Sequence, residues 1–228
     1  MEPVFIKICG ITNADDALLA TALGADAVGF VLAPSSRRVA PLRVQEIARL
    51  LPPGVLTVGV FRDEAPQRVI ELVNRCGLKA AQLHGRESIA DTQEVHDQVP
   101  VVIKAFPGGS RSLAMADRYG ADAVLVDSDT PGSGKVFDWS LAEGAPGGIR
   151  LIMAGGLNPD NVATAIAKVR PWGVDVSTGV ELSPGRKDPA RLRAFISAVR
   201  GTQPGMPDTP EPDSDEDAPY DWQEELLP

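Results

Sequence analysis

The sequence predicts an α/β fold, a single (β/α)8 barrel followed by a disordered acidic tail. Eight short strand-like runs alternate with helical stretches over about 200 residues, and such alternation implies a parallel sheet. Eight near-equal units fit a compact closed barrel, whereas an open doubly wound sheet has no need of eight. From Gly201 the chain turns rich in Pro, Asp and Glu with almost no apolar spacing, too little to offset the entropy of ordering. The expected division is a catalytic barrel over 1–200 and a tail over 201–228.

The first strand is the run Phe5-Ile6-Lys7-Ile8-Cys9. Alternate side chains of a strand face opposite ways, so Val4, Ile6 and Ile8 form an apolar face. Phe5, Lys7 and Cys9 form the other, with a cation and a thiol for the barrel interior. Gly10 releases the backbone, and Thr12 with Asp15 resembles a capping box that starts a helix over 15–23. Gly24 stops it before a strand at 25–31, a polar loop at 33–38 and a helix at 42–51 that Pro52-Pro53-Gly54 ends. Strand 57–61 leads to helix 66–76 with Pro66 in its first turn. Strand 80–85, helix 88–95, strand 100–106, helix 111–119 and strand 123–127 follow. A Gly-rich loop at 130–135 and a short helix at 139–143 precede strand 150–154. Helix 161–168, strand 173–177 and helix 188–200 close the barrel.

Composition narrows the function classes. The apolar runs are only strand-sized, so no membrane helix is expected. Glu2 and Pro3 follow Met1 with no signal-peptide pattern. The two cysteines, Cys9 and Cys76, give neither a disulfide framework nor zinc spacing, which makes a cytoplasmic location the expectation. The formal charge is −9, but nine of the 31 acidic residues lie between Thr202 and Pro228, a segment without Lys or Arg. The body is therefore neutral, with 22 acidic against 22 basic residues, and no basic cluster invites nucleic acid. No oligomer is required by anything in the pattern.

Candidate chemistry gathers at strand ends, which share one mouth of a closed barrel. Cys9 ends the first strand beside Gly10 and two residues after Lys7, a cation that could stabilise a thiolate base; the alternative is a buried small hydrophobe. Asp127 ends the sixth strand and could supply an acid opposite Cys9, or else cap a loop. His84 lies at the mouth as a substrate hydrogen-bonding group or a satisfied loop histidine, and His96 reads as surface. Either Arg37 or Arg38 could clamp a carboxylate, with Arg37 the better match to solvated surface charge. Gly155 and Gly156 permit close backbone approach ahead of Asn158 and Pro159, an expected cap and first helical residue. Ser177, Thr178 and Gly179 follow the last strand. These two loops occupy the usual phosphate position of such barrels. Asp175 faces inward with Ser177, and because the last strand neighbours the first, Asp175 should approach Lys7.

At these residues the chain closely resembles the phosphoribosylanthranilate isomerase family of tryptophan biosynthesis. The matching segments are Lys-Ile-Cys-Gly-Ile-Thr at 7–12, Gly-Ala-Asp-Ala-Val-Gly-Phe at 24–30, Gln-Leu-His-Gly at 82–85, Gly-Ser-Gly-Lys-Val-Phe-Asp-Trp at 132–139, Ala-Gly-Gly-Leu at 154–157 and Asp-Val-Ser-Thr-Gly-Val-Glu at 175–181. The resemblance implies Cys9 as base, Asp127 as acid and Arg38 on the anthranilate carboxylate; His84 and Asp175, by their place at the mouth, are expected at the substrate. It implies an Amadori rearrangement of a small phosphoribosyl substrate without metal or redox cofactor. Two departures are small: Pro131 stands where the family often has Gly, and Thr178 where a second Ser is common. The tail has no evident counterpart. A related phosphosugar isomerase, or a silent phosphosugar-binding barrel, is the alternative; intact Cys9 and Asp127 argue against silence.

Overall fold

Eight parallel strands close into a barrel in strict sequence order. They are β1 (Phe5–Cys9), β2 (Ala27–Val31), β3 (Leu56–Phe61), β4 (Ala80–Leu83), β5 (Val101–Pro107), β6 (Ala123–Asp127), β7 (Leu151–Met153) and β8 (Gly173–Val176). The structure, a computed structural model, describes residues 3–127 and 144–202. The Gly-rich loop at 130–135, the short helix expected at 139–143 and nearly all of the tail lie outside the described residues.

Closure rests on β1, which pairs with β2 on one side and β8 on the other, with Lys7 opposite Asp175. The register carries the inward face around the barrel. Ala27, Val58, Ala80, Ile103, Leu125 and Ile152 meet in one interior cluster, and Phe5 packs beneath it. Phe5 stacks on Trp172 with ring centroids 4.5 Å apart. The outward face, including Ile6, Ile8, Val28 and Val174, packs against the helices. Strands covered on both sides thus keep apolar residues on both faces.

The helices are α1 (Ala14–Ala22), α2 (Pro41–Ala48), α3 (Pro66–Cys76), α4 (Ile89–His96), α5 (Val162–Val169) and α6 (Pro189–Arg200). Proline opens α2, α3 and α6, where its missing N–H is of no consequence. Gly77 ends α3 in the left-handed region at φ 66°. Ser88 and Asp91 form a reciprocal capping box on α4.

Four expectations need correcting. Asn13, not Thr12, caps α1, because its Oδ1 accepts the Asp16 N–H at 2.9 Å; Thr12 Oγ1 instead donates to the Gly185 carbonyl at 2.5 Å. α2 stops at Ala48 rather than 51 and tightens into i+3 bonds at Leu50 and Leu51, since Pro52 disfavours helix in the residue before it. The stretch after β5 is a 3₁₀ helix, Leu113–Tyr119, kinked at Met115; it buries Leu113 and Ala116, whose spacing of three lies on one face of a three-residue turn. Asn158 caps a turn through Asp160 and Asn161, and α5 proper begins after Asn161. One addition was not foreseen. A small hairpin, β9 (Glu181–Ser183) and β10 (Arg186–Lys187), follows β8.

Candidate active site

The barrel mouth collects side chains from four strand ends. Cys9 closes β1 and is buried, with its Sγ against Gly29 of β2; a Cβ added there would lie 2.9 Å from Cys9 Sγ and 3.2 Å from Lys7 Nζ. Gly29 is therefore the space in which the thiol and the ammonium sit. Lys7 Nζ donates to Asp175 Oδ1 at 2.8 Å from a fully buried position. An interior ammonium needs such a partner.

The electrostatics correct one expectation. Burial acts against the charged form of Lys7, but Asp175 and Cys9 outweigh it and hold the ammonium above its ordinary value. Burial also pushes the Cys9 thiol up, and the opposing pull of Lys7 and Lys187 does not overcome burial together with the Asp175 charge. Lys7 therefore favours the thiolate without making it the resting form, because burial of the thiol, with the Asp175 charge beside it, outweighs that pull.

Asp127 ends β6 and is buried at the same mouth. His84 Nε2 lies 3.5 Å from Asp127 Oδ2, and Gln82 Nε2 lies 3.3 Å from His84 Nδ1. The His84 backbone is fixed by its N–H to the Phe61 carbonyl at 2.8 Å. Burial lowers the His84 imidazole to about 4, so at neutral pH it is an uncharged hydrogen-bonding group. Nearby, the buried Lys104 Nζ donates to the Leu83 and Gly85 carbonyls and to Glu87 Oε2 at 2.9 Å, which holds the loop that carries His84.

A cleft runs from Asp127 and Asp175 to Gly155, Gly156, Ser177 and Thr178. Gly155 and Gly156 have φ 88° and 67°, a region that L side chains rarely adopt. Asn161 Nδ2 donates to the Gly156 carbonyl at 3.0 Å, and Asn161 Oδ1 accepts the Asn158 N–H at 2.9 Å. Gly179 abuts the Leu157 carbonyl so closely that any Cβ would overlap it. The two loops are thus packed backbone to backbone, with Ser177 and Thr178 on the cleft.

The two arginines divide differently from expectation. Arg38 lies exposed at the rim. Arg37 is not solvated surface charge: its Nε and Nη2 grip Glu181 at 2.8 and 2.7 Å, with the guanidinium largely covered. Glu181 stands 144 positions away, so no local signal in the sequence could have found this pair. The Lys104–Glu87 pair and Lys187 were missed although their partners are nearer in sequence, because burial of these charges is set by the packed barrel and leaves no mark on the local pattern. Among the described residues no three His, Cys, Asp or Glu converge as metal ligands, and no helix is long and apolar enough to cross a membrane. His96 is part-exposed, 3.5 Å from Asp122.

A sequence model of the N-(5'-phosphoribosyl)anthranilate isomerase family matches residues 6–198. The N-(5'-phosphoribosyl)anthranilate isomerase of Desulforudis audaxviator is 50% identical over 202 residues, covering 86% of this chain and 97% of that protein. The crystal structure of the phosphoribosyl anthranilate isomerase from Thermus thermophilus is similar at TM-score 0.83 and 43% identity, over 88% of this chain and 100% of that one. A phosphoribosyl anthranilate isomerase in complex with reduced 1-(o-carboxyphenylamino)-1-deoxyribulose 5-phosphate is similar at TM-score 0.75 and 40% identity, over 87% and 99% of the two chains.

Proposed function

The chain belongs to the N-(5'-phosphoribosyl)anthranilate isomerase family, and from that premise we propose that Cys9 and Asp127 are the base and acid of its reaction. The reaction is the Amadori rearrangement of N-(5-phosphoribosyl)anthranilate to 1-(2-carboxyphenylamino)-1-deoxyribulose 5-phosphate, a step of tryptophan biosynthesis. The observation that carries the assignment is the continuous line Asp127–cleft–Asp175–Lys7–Cys9 across the mouth. Asp127 and Asp175 border the cleft directly, and Cys9 stands behind Lys7.

Asp127 delivers a proton to the ribose ring oxygen, and the ring opens to an iminium. Cys9 takes the C2 proton, and the iminium nitrogen accepts the electron pair. The enolamine so formed tautomerises to the ketone. The cationic iminium next to Cys9 favours its thiolate at the moment the base is needed. His84, uncharged, stands beside the Asp127 carboxyl group with its Nε2 3.5 Å away. Asp175 anchors Lys7 and borders the ribose. Gly155, Gly156, Ser177, Thr178 and Gly179 hold the 5'-phosphate by N–H and hydroxyl donors. Arg38, at the rim, meets the anthranilate carboxylate.

The catalytic unit is the barrel, 1–200, working in the cytoplasm. The span of the family match, 6–198, supports the first of these statements. The function is tested by the fluorescence lost when purified protein consumes phosphoribosylanthranilate. Rapid loss with wild type and none with Asp127→Asn is expected. Equal rates for the two would overturn the assignment of the acid.

A further inference from the structure

Behind the mouth, three charged side chains from separate stretches share one buried cluster. Lys187 of β10 is fully enclosed, and its ammonium donates to the Cys9 carbonyl at 2.6 Å, the Ser177 carbonyl at 3.1 Å and Glu181 Oε1 at 3.1 Å. Its three protons therefore meet three acceptors. Glu181 in turn holds Arg37 through both oxygens and accepts the Gly185 N–H at 3.2 Å. The Lys187 N–H is tied to Asp16 Oδ2 of α1 at 2.9 Å.

The acceptors are informative. The β1–β8 ladder ends at Ile8 opposite Val176. Cys9 ends β1 and Ser177 follows β8, and no ladder pairing joins the two across the gap. Lys187 spans that gap and joins their carbonyls. A Met of similar length could fill the volume, at the cost in stability that comes with removing one partner of a buried pair. It could not hold the two carbonyls at a set separation.

We infer that Lys187, oriented by Glu181 and Arg37, is a positioning residue that fixes the backbone of the base Cys9 relative to the phosphate loop at Ser177. The inference rests on the roles proposed above for those two residues. The reacting carbon and the 5'-phosphate belong to one substrate, so the separation of base and phosphate loop decides whether both engage together. Misplacement by about 1 Å can cost on the order of 10²-fold in rate. The same ammonium also favours the Cys9 thiolate.

The test compares wild type, Lys187→Met, Glu181→Gln and Cys9→Ala in the full chain. The readouts are kcat, KM, inhibition by inorganic phosphate, thermal midpoint, and the pH profile of iodoacetamide alkylation read at the Cys9 peptide. Lys187→Met is expected to lower kcat about 30- to 100-fold, to weaken phosphate inhibition about tenfold, and to move Cys9 alkylation to higher pH. Adding Glu181→Gln to it should do little more, since the two act as a unit. A lower thermal midpoint with kcat, phosphate inhibition and alkylation unchanged would reduce Lys187 to a structural strut and overturn the inference. If Lys187→Met does not fold, Arg37→Gln at the edge of the cluster carries the test: a fall in kcat with a shifted alkylation profile supports the inference, and no change in either overturns it. A silent Cys9→Ala beside an unimpaired Lys187→Met faults the positioning role alone. An active Cys9→Ala beside weakened phosphate inhibition in Lys187→Met faults the base assignment, while the hold on the phosphate loop stands.

Discussion

Replacing His84 by Gln should remove a large part of the acid sensitivity of the fold. The imidazole lies 3.5 Å from Asp127, with Asp175, Lys7, Lys104 and Glu87 acting on it from β8, β1, β5 and its own loop. Burial lowers it from 6.5 to about 4. The folded state therefore resists protonation at a pH where the unfolded chain accepts it. Between pH 6.5 and 4 the unfolded state binds more protons, so stability falls as pH falls. The contribution is complete above 6.5 and is lost toward 4. At pH 5 protonation stabilises the unfolded state by about 2 kcal/mol and the folded state by under about 0.1 kcal/mol, a net loss of about 2 kcal/mol relative to pH 7.5. For a chain of this size that corresponds to about 4–8 °C in thermal midpoint. Urea unfolding of wild type and His84→Gln at pH 7.5 and 5.0 measures it, and the wild type should lose about 2 kcal/mol more than the variant. Equal losses would refute the buried, uncharged state of His84.

Other substitutions separate the remaining roles. Cys9→Ala should cut kcat by at least ~10²–10⁴-fold while product binding survives, as isothermal titration with product would record. Arg38→Ala should raise KM about tenfold to hundredfold with a smaller effect on kcat. Arg37→Ala should, besides its effect through Lys187, lower the unfolding free energy by about 1–3 kcal/mol, since it leaves Glu181 without its strongest partner; denaturation of the two variants side by side tests the division. Gly179→Ala forces the Leu157 carbonyl aside, and inhibition by inorganic phosphate should weaken at least about tenfold. Deleting 203–228 should leave kcat/KM unchanged, because the family match ends at 198; a large fall would extend the catalytic unit into the tail.

Much of this was legible in the residues, for physical reasons that differ from place to place. The repeat order followed from alternation alone. Helix α3 has its expected bounds: Pro66 opens it as expected, and in the structure Gly77 ends it in the left-handed region. The pairing of Lys7 with Asp175 followed from closure and from the penalty on an unpaired interior charge. Arg37 was not legible. Two adjacent arginines look alike, and the one that turns inward is decided by Glu181 on a hairpin whose strands have three and two residues, too short for a periodic signal. The behaviour of Cys9 was half legible: Lys7 is near in sequence, while the burial that outweighs it is a property of the packed mouth. The starts of α1 and α5 shifted because two Asn side chains competed with neighbours for the free N–H groups.

The bond between Lys7 and Asp175 also sets a timetable. Its partners are separated by 168 positions, so a nascent chain carries Lys7 long before Asp175 exists. At about 5–20 residues per second the wait is roughly 10–30 s. During it the first strand has one paired edge at most and a cation on its inner face with no counter-charge. The ring cannot shut early around that charge, and the edge of β1 stays reserved for β8. The last strand and α6 arrive together, and Arg200 then reaches back to the Val4 carbonyl at 2.7 Å, so the two ends of the barrel are joined only when nearly the whole of it has been made.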